Sequence, residues 1–210
     1  MTGRRYSSAV RAEQTRATRQ RVIAAAQALF LRRGYTGATV EAIAARAGCS
    51  VQTVYNTVGG KAAVLKAVYD TMLAGDIEPV AMLERPAALA MRAAPDPREL
   101  LARYARMGRD ITERVLPLLP ILLSEGAAGD RDVKALIDTT EAERAIGTAT
   151  VAATLQERFG LRVSVEEAAD VLWTLTAPEV VLRLVHRRGW TLDRFERWLA
   201  EAMADAVLPR

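Results

Sequence analysis

Apolar residues recur at helical spacing along almost the whole chain, and the strict alternation that marks half-buried strands is nearly absent. The first strong segment runs from about Glu13 to Arg33. It sets Val22, Ala25, Ala26, Leu29 and Phe30 on one face and Arg16, Arg19, Arg32 and Arg33 elsewhere, and Gly34 stops it. Thr39 is placed to cap a two-turn helix from Val40 to Ala47. Gly48 ends that helix, and Ser50 is placed to cap a second short one reaching about Thr57. Gly59-Gly60 breaks the pattern, and a fourth helix starts near Lys61 and continues through Val64, Leu65, Val68, Tyr69 and Met72.

Beyond Leu83 the run RPAALAMRAAPDP carries three prolines, so we expect a connection there rather than a long helix. Asp96 before Pro97 is a cap and first-turn pair for a helix through Leu100, Leu101, Tyr104, Met107 and Ile111. Pro117 and Pro120 bound a short apolar turn and helix closed by Gly126, and Asp130 opens a long helix to about Phe159. Ser164 with Glu167 matches a capping box for a helix through Leu175. Pro178 predicts a kink or a restart capped by Thr176, Gly189 a stop, and Thr191 the cap of a last helix carrying Leu192, Phe195, Leu199, Met203 and Val207. The expectation is an all-α chain of about nine helices, with no fixed-period repeat.

Charge divides this helical chain unevenly. Residues 1–61 hold ten Lys or Arg against Glu13 and Glu41, a net of +8, whereas the whole chain is +4, so the remainder is −4. A basic end on a mildly acidic body suits contact with a polyanion such as nucleic acid or an anionic surface. One cysteine, Cys49, and one histidine, His186, exclude internal disulfides and cysteine-built or His-pair metal sites, so no metal or cofactor is expected. No G-x-S-x-G elbow, P-loop or dinucleotide fingerprint is present, and we expect no enzyme. With no apolar run of membrane-spanning length and no signal-peptide core, the expected location is cytoplasmic, without a membrane partner.

The stretch VEAIAARAGCSVQTVYNTVG, residues 40–59, carries the most specific pattern. Two short helices that cross closely need a small residue on the first (Ala44), a glycine in the turn (Gly48) and branched apolar residues beside them (Ile43, Val51, Val54). That is the spacing of a helix-turn-helix, whose second helix offers its exposed side chains to the major groove. Cys49, within the turn, reads as a small buried apolar residue, and His186 as a group near a helix C-terminus.

RVIAAAQALFLRRGYTGATVEAIAARAGCSVQTVYNTVGGKAAVLKAVYD, residues 21–70, resembles the N-terminal DNA-binding region of the TetR (tetracycline-repressor-type) family of transcriptional regulators. The likeness rests on Ala26 and Phe30, Gly34-Tyr35, Ile43-Ala44, Ala47-Gly48, Ser50, Tyr55 and Lys61. It departs from the family at Val58, where phenylalanine is usual, and at Asn56-Thr57, where an aromatic residue or histidine is common. The resemblance implies a flexible basic arm over 1–18, a helix-turn-helix domain over 19–62 and a helical effector-binding and dimerisation domain over 63–210. It places Val51, Gln52 and Thr53 at base edges, Gln52 through a bidentate amide pair with adenine. Thr39, Tyr55, Asn56 and Lys61 fall at phosphates, and Arg4, Arg5 and Arg11 precede the first helix as a candidate minor-groove arm.

The same resemblance implies a homodimer on a palindromic double-stranded DNA operator, released by a small-molecule effector. Tyr104, Met107, Leu122 and Trp173 are candidate pocket residues, and Val181, Leu184, Phe195, Trp198 and Leu199 candidate dimer contacts. Two other classes stay open at this stage: a helical adaptor with a degenerate reading head, and a small helical enzyme steering an anionic substrate to its basic end.

Overall fold

The computed structural model describes residues 3–209, with side chains from residue 12 onward, and every regular element within them is helical. The elements are α1 (Gly3–Arg33), α2 (Val40–Ala47), α3 (Val51–Thr57), α4 (Lys61–Ala74), α5 (Pro86–Arg92), α6 (Pro97–Val115), α7 (Leu119–Ala127), α8 (Arg131–Phe159), α9 (Val165–Leu175), α10 (Pro178–Val181) and α11 (Leu192–Val207). A 3-10 turn covers Met82–Glu84, and a six-residue π-turn covers Leu182–Arg187.

Eleven α-helices thus stand among the described residues where about nine were expected. The expected connection holds α5, which starts on Pro86; proline's fixed φ suits the first helical position, so its missing N–H costs nothing there. The second addition is α10. Ala177, not Thr176, precedes it, with Pro178 again at the start, and the Thr176 hydroxyl instead bonds back to the Leu172 carbonyl at 2.8 Å. Helix α1 begins at Gly3, so it takes in most of the segment expected as an arm; the side chains of Arg4, Arg5 and Arg11 lie outside the described residues.

The chain divides into two compact units. The first comprises residues 1–77 together with 117–137, and the second residues 78–116 together with 138–210. In the first, α1 packs on α2, α3 and α4, burying Val22, Ala26, Leu29 and Phe30 with Ile43, Val54, Val64 and Val68. Residues 117–137, expected within the larger domain, belong to this first unit. In the second, α6 and α11 form the main contact, and α9 lies on α11. Leu100, Leu101 and Ala105 meet Leu155, Leu172, Phe195, Leu199 and Met203 in one core, where each fully buried Leu or Phe contributes about 2–3 kcal/mol relative to exposure.

Candidate nucleic-acid interface

The helix-turn-helix is built by local caps. The Thr39 hydroxyl accepts from the Ala42 amide at 3.2 Å and starts α2. At the other end Gly48 takes the left-handed conformation, φ 67°, which a β-carbon would disfavour. The Gly48 and Cys49 amides then reach back to the Ala45 and Ala44 carbonyls at 3.3 and 3.0 Å. Ala44 is buried, so α3 can cross close to α2, and Ile43 and Val54 fill the angle between them. The thiol of Cys49 is half-buried in this turn. Ser50 caps α3 by accepting from the Thr53 amide at 3.1 Å, and its hydroxyl also lies 2.8 Å from that of Thr53.

With Val54 turned inward, α3 presents Gln52, Tyr55 and Asn56 to solvent, while Val51 and Thr53 are half-buried at its start. Tyr55 is 52% exposed. Gln52 Nε2 donates to Asn56 Oδ1 at 2.9 Å, a pairing one helical turn apart that aligns both amides along the exposed face. Val58 is half-buried; it closes α3 and sends its amide to the Val54 carbonyl at 2.9 Å.

Lys61 opens α4, whose cap Gly60 makes no side-chain bond to the first turn; Ala62 and Ala63 beside it are exposed. An exposed helix N-terminus of this kind carries partial positive charge and free amides, the chemistry that holds a phosphate. The Lys61 ammonium lies 4.2 Å from the centre of the Tyr35 ring and 3.4 Å from the Thr36 carbonyl oxygen. The lysine is therefore seated on the turn that joins α1 to α2.

Two sets of contacts in this unit have no local signature in the sequence. Arg19 and Arg21 on α1 donate to the Thr57 and Ala47 carbonyls at 3.0 and 3.3 Å, and so satisfy the last carbonyls of α3 and α2. In addition, Glu125 of α7 grips the turn after α1: Oε1 accepts from the Tyr35 amide at 2.5 Å, and Oε2 from the Thr36 amide at 2.8 Å and the Thr36 hydroxyl at 2.5 Å. A β-carbon on Gly34, whose φ is 72°, would stand 2.6 Å from Oε1, so glycine both makes the turn and leaves room for the carboxylate. The buried Tyr35 ring packs 5.6 Å from Phe30, and its hydroxyl donates to Asp132 Oδ2 at 2.7 Å. Burial first, and then this bond and the neighbouring carboxylates, hold the Tyr35 phenol protonated far above the usual tyrosine range.

The expected pocket and dimer residues fall as follows. Tyr104 and Trp173 meet around Arg144 in the second unit. The Arg144 guanidinium stacks 4.6 Å from the Trp173 ring, bonds the Trp173 carbonyl and the Thr176 hydroxyl, and reaches Glu141 at 2.6 Å. Burial pushes the Tyr104 phenol up against the opposing pull of Arg144 and a bond to Thr176. Met107 is half-buried on α6, but Leu122 lies in the first unit, so one pocket within either unit does not collect all four. Val181, Phe195 and Leu199 are buried in their own unit's core, which leaves half-buried Leu184 and Trp198 as the pair with surface to offer a partner. An amphipathic stripe reads alike for core and interface, so helical spacing does not separate the two among these five. Lone His186 is exposed in the π-turn. Among the described residues no group of His, Cys, Asp or Glu is arranged to hold a metal ion, and no helix is long and apolar enough to cross a membrane.

Residues 22–68 match the family described as bacterial regulatory proteins, tetR family. No curated relative matches the sequence. Among solved structures, a Syntrophomonas wolfei protein assigned to the TetR family of transcriptional regulators shares 15% identity at a TM-score of 0.71, over 90% of this chain and 94% of that one. The fatty acid degradation regulator FadR from Bacillus halodurans shares 17% at 0.65, over 88% and 93%. A complex of SmeT with triclosan shares 19% at 0.65, over 92% of each chain. At these identities the likeness carries the fold, and it does so over nearly the whole length.

Proposed function

We propose that this chain, whose residues 22–68 belong to the tetR family of bacterial regulatory proteins, is a DNA-binding transcriptional regulator that acts as a dimer and is released from a palindromic operator by a small-molecule effector. The observation that carries this reading is the exposed face of α3, with Gln52, Tyr55 and Asn56 in solvent beside the uncapped start of α4 and Lys61. Gln52 reads adenine through its amide, and Thr53 and Val51 touch the neighbouring base edges. Thr39, Tyr55, Asn56 and Lys61 hold phosphates and set register.

The second unit supports the remainder of the reading. From α9 through the π-turn, Glu166, Glu167 and Asp170 stand exposed at one end and Arg183, His186, Arg187 and Arg188 at the other, with half-buried Val180 and Leu184 between. Two copies packed antiparallel about a two-fold axis set each acidic end against a basic one, and a two-fold dimer reads a palindrome whose half-sites lie about one DNA turn, 34–36 Å, apart. The effector acts by binding one arrangement of the reading heads better than the other, with α4, which leads out of the head, carrying the shift. Relatives of the same fold bound to triclosan and to choline support a ligand-responsive body. The Arg144, Tyr104 and Trp173 cluster offers polar and aromatic groups in that body for reading such a ligand.

Titration of a mixed-sequence duplex with the full chain over a range of ionic strength tests the reading. A steep linear fall of log affinity with log salt, corresponding to several phosphates per chain, is expected, and an affinity indifferent to salt refutes it.

A further inference from the structure

We infer that Glu125 is a positioning residue for DNA binding, which sets the seat of the phosphate-holding lysine Lys61 from helix α7. The inference rests on the DNA-reading function proposed above and assigns a role to a residue outside the helix-turn-helix. Lys61 touches two things, the Tyr35 ring and the Thr36 carbonyl. Both belong to the turn whose amides at Tyr35 and Thr36 are gripped by one carboxylate, through three hydrogen bonds of 2.5 to 2.8 Å. Asp132, in the first turn of α8, holds the far end of the same tyrosine at 2.7 Å. Asp130 in turn fixes the start of α8, accepting from the Asp132 and Val133 amides at 3.1 and 3.0 Å.

The turn is thus held from two sides by segment 117–137, and the sequence is shaped to receive it. Gly34 leaves no β-carbon where Oε1 sits, and the Thr36 hydroxyl adds the third donor. A carboxylate receiving three donors makes charge-assisted bonds that are stronger than neutral ones, so the turn is stiff at the point where it carries the lysine. A long lysine side chain loses considerable rotamer freedom when it is fixed on a phosphate. A seat formed before DNA arrives reduces that loss, and moving the seat returns it. The segment follows α6 and leads into α8, whose residues from Asp138 onward belong to the second unit, while its own contacts with the turn lie within the first.

The test uses the full-length chain and a duplex selected by the wild-type protein, with anisotropy titrations at several salt concentrations for wild type, Glu125→Gln, Lys61→Ala and the double variant. Glu125→Gln keeps the side chain's shape and removes its charge and one acceptor position. We expect it to weaken binding about tenfold, ~1.4 kcal/mol, and to lower the salt slope by about one, as loss of a single phosphate contact does. We also expect the double variant to bind no more weakly than Lys61→Ala alone. Thermal unfolding reports whether the variant is folded. If it is not, Thr36→Val, which removes one of the three bonds, serves in its place, with a loss of about threefold and the same lack of additivity with Lys61→Ala. A merely structural glutamate changes affinity without touching the salt slope, and its loss multiplies with that of Lys61→Ala; either result overturns the inference. Wild-type protein that shows no salt-dependent DNA binding refutes the DNA reading itself, whereas wild-type binding matched in affinity and slope by both folded variants refutes only the role of Glu125.

Discussion

Replacing Gln52 by alanine isolates base reading from everything else the α3 face does. In the free protein Gln52 Nε2 is bonded to Asn56 Oδ1 at 2.9 Å, so the amide is already aligned along the helix but is held by its neighbour. Turning it to an adenine edge breaks a pair worth about 0.2–0.5 kcal/mol on a helix surface and forms a bidentate contact worth about 1–3 kcal/mol in discrimination. The net advantage is about 0.5–2.8 kcal/mol. Gln52→Ala is therefore expected to weaken binding to the preferred duplex by roughly twofold to a hundredfold, with little change on a scrambled duplex of the same length. Asn56→Ala pulls in two directions, since it frees Gln52 and removes the proposed phosphate donor. Its expected effect is a loss on both duplexes that leaves their ratio unchanged or slightly raised. Competition titrations with both duplexes at one salt concentration give both ratios. A Gln52→Ala variant that loses the same factor on preferred and scrambled DNA refutes the assignment of Gln52 to base reading and makes it one more phosphate contact.

Three further outcomes follow from the same structure. Ser50→Ala removes the cap of α3 and the partner of the Thr53 hydroxyl; chemical denaturation is expected to show a loss of about 1 kcal/mol, and operator affinity falls with it. Phe195→Ala opens a cavity in the core between α6 and α11, with an expected cost of about 3–5 kcal/mol by calorimetry, and an unchanged melting profile contradicts that packing. Tyr35 has its pKa raised above the usual 10.0 in the fold, so the folded state keeps a proton that the unfolded chain gives up. Its contribution is complete below about pH 10 and is lost as pH rises above that value, by up to about 1.4 kcal/mol per pH unit. Tyr35→Phe is expected to show a flatter fall in stability above pH 10 than wild type, and parallel curves exclude this phenol as the source.

The local devices of this fold were legible in the chain because they act over three or four residues. Thr39, Ser50, Asp96, Ser164 and Thr191 each cap the helix that their position foretells, with the hydroxyl or carboxylate accepting from an amide three residues on. The helix-turn-helix was legible for the same reason, since Ala44, Gly48 and Val54 act within eleven residues. The clamp on the α1–α2 turn was not. Glu125 and Asp132 lie 90 and 97 residues from Tyr35, and a carboxylate on a helix reads as solvated surface until the fold delivers its partner. A faint signal existed in Gly34 two residues before Thr36, a turn with a missing β-carbon and a spare hydroxyl, but nothing in it named the residue that fills the space. Arg19 and Arg21 were equally hidden as to partner: in the sequence each adds only to the charge of the basic end, whereas in the fold each also bonds the last carbonyls of a helix 26 to 38 residues away. In the second unit, spacing could not divide core from interface, and Phe195 and Leu199 went to the core.

The central claim is that this chain reads DNA sequence as a two-fold dimer through α3. Selection from a random duplex pool with the purified full-length chain at moderate salt, followed by sequencing of the bound fraction, tests it most directly. The account predicts a palindromic consensus whose half-sites lie about one helical turn apart, with an adenine in each half-site whose enrichment disappears in Gln52→Ala. Featureless enrichment, or a consensus without two-fold symmetry, contradicts it.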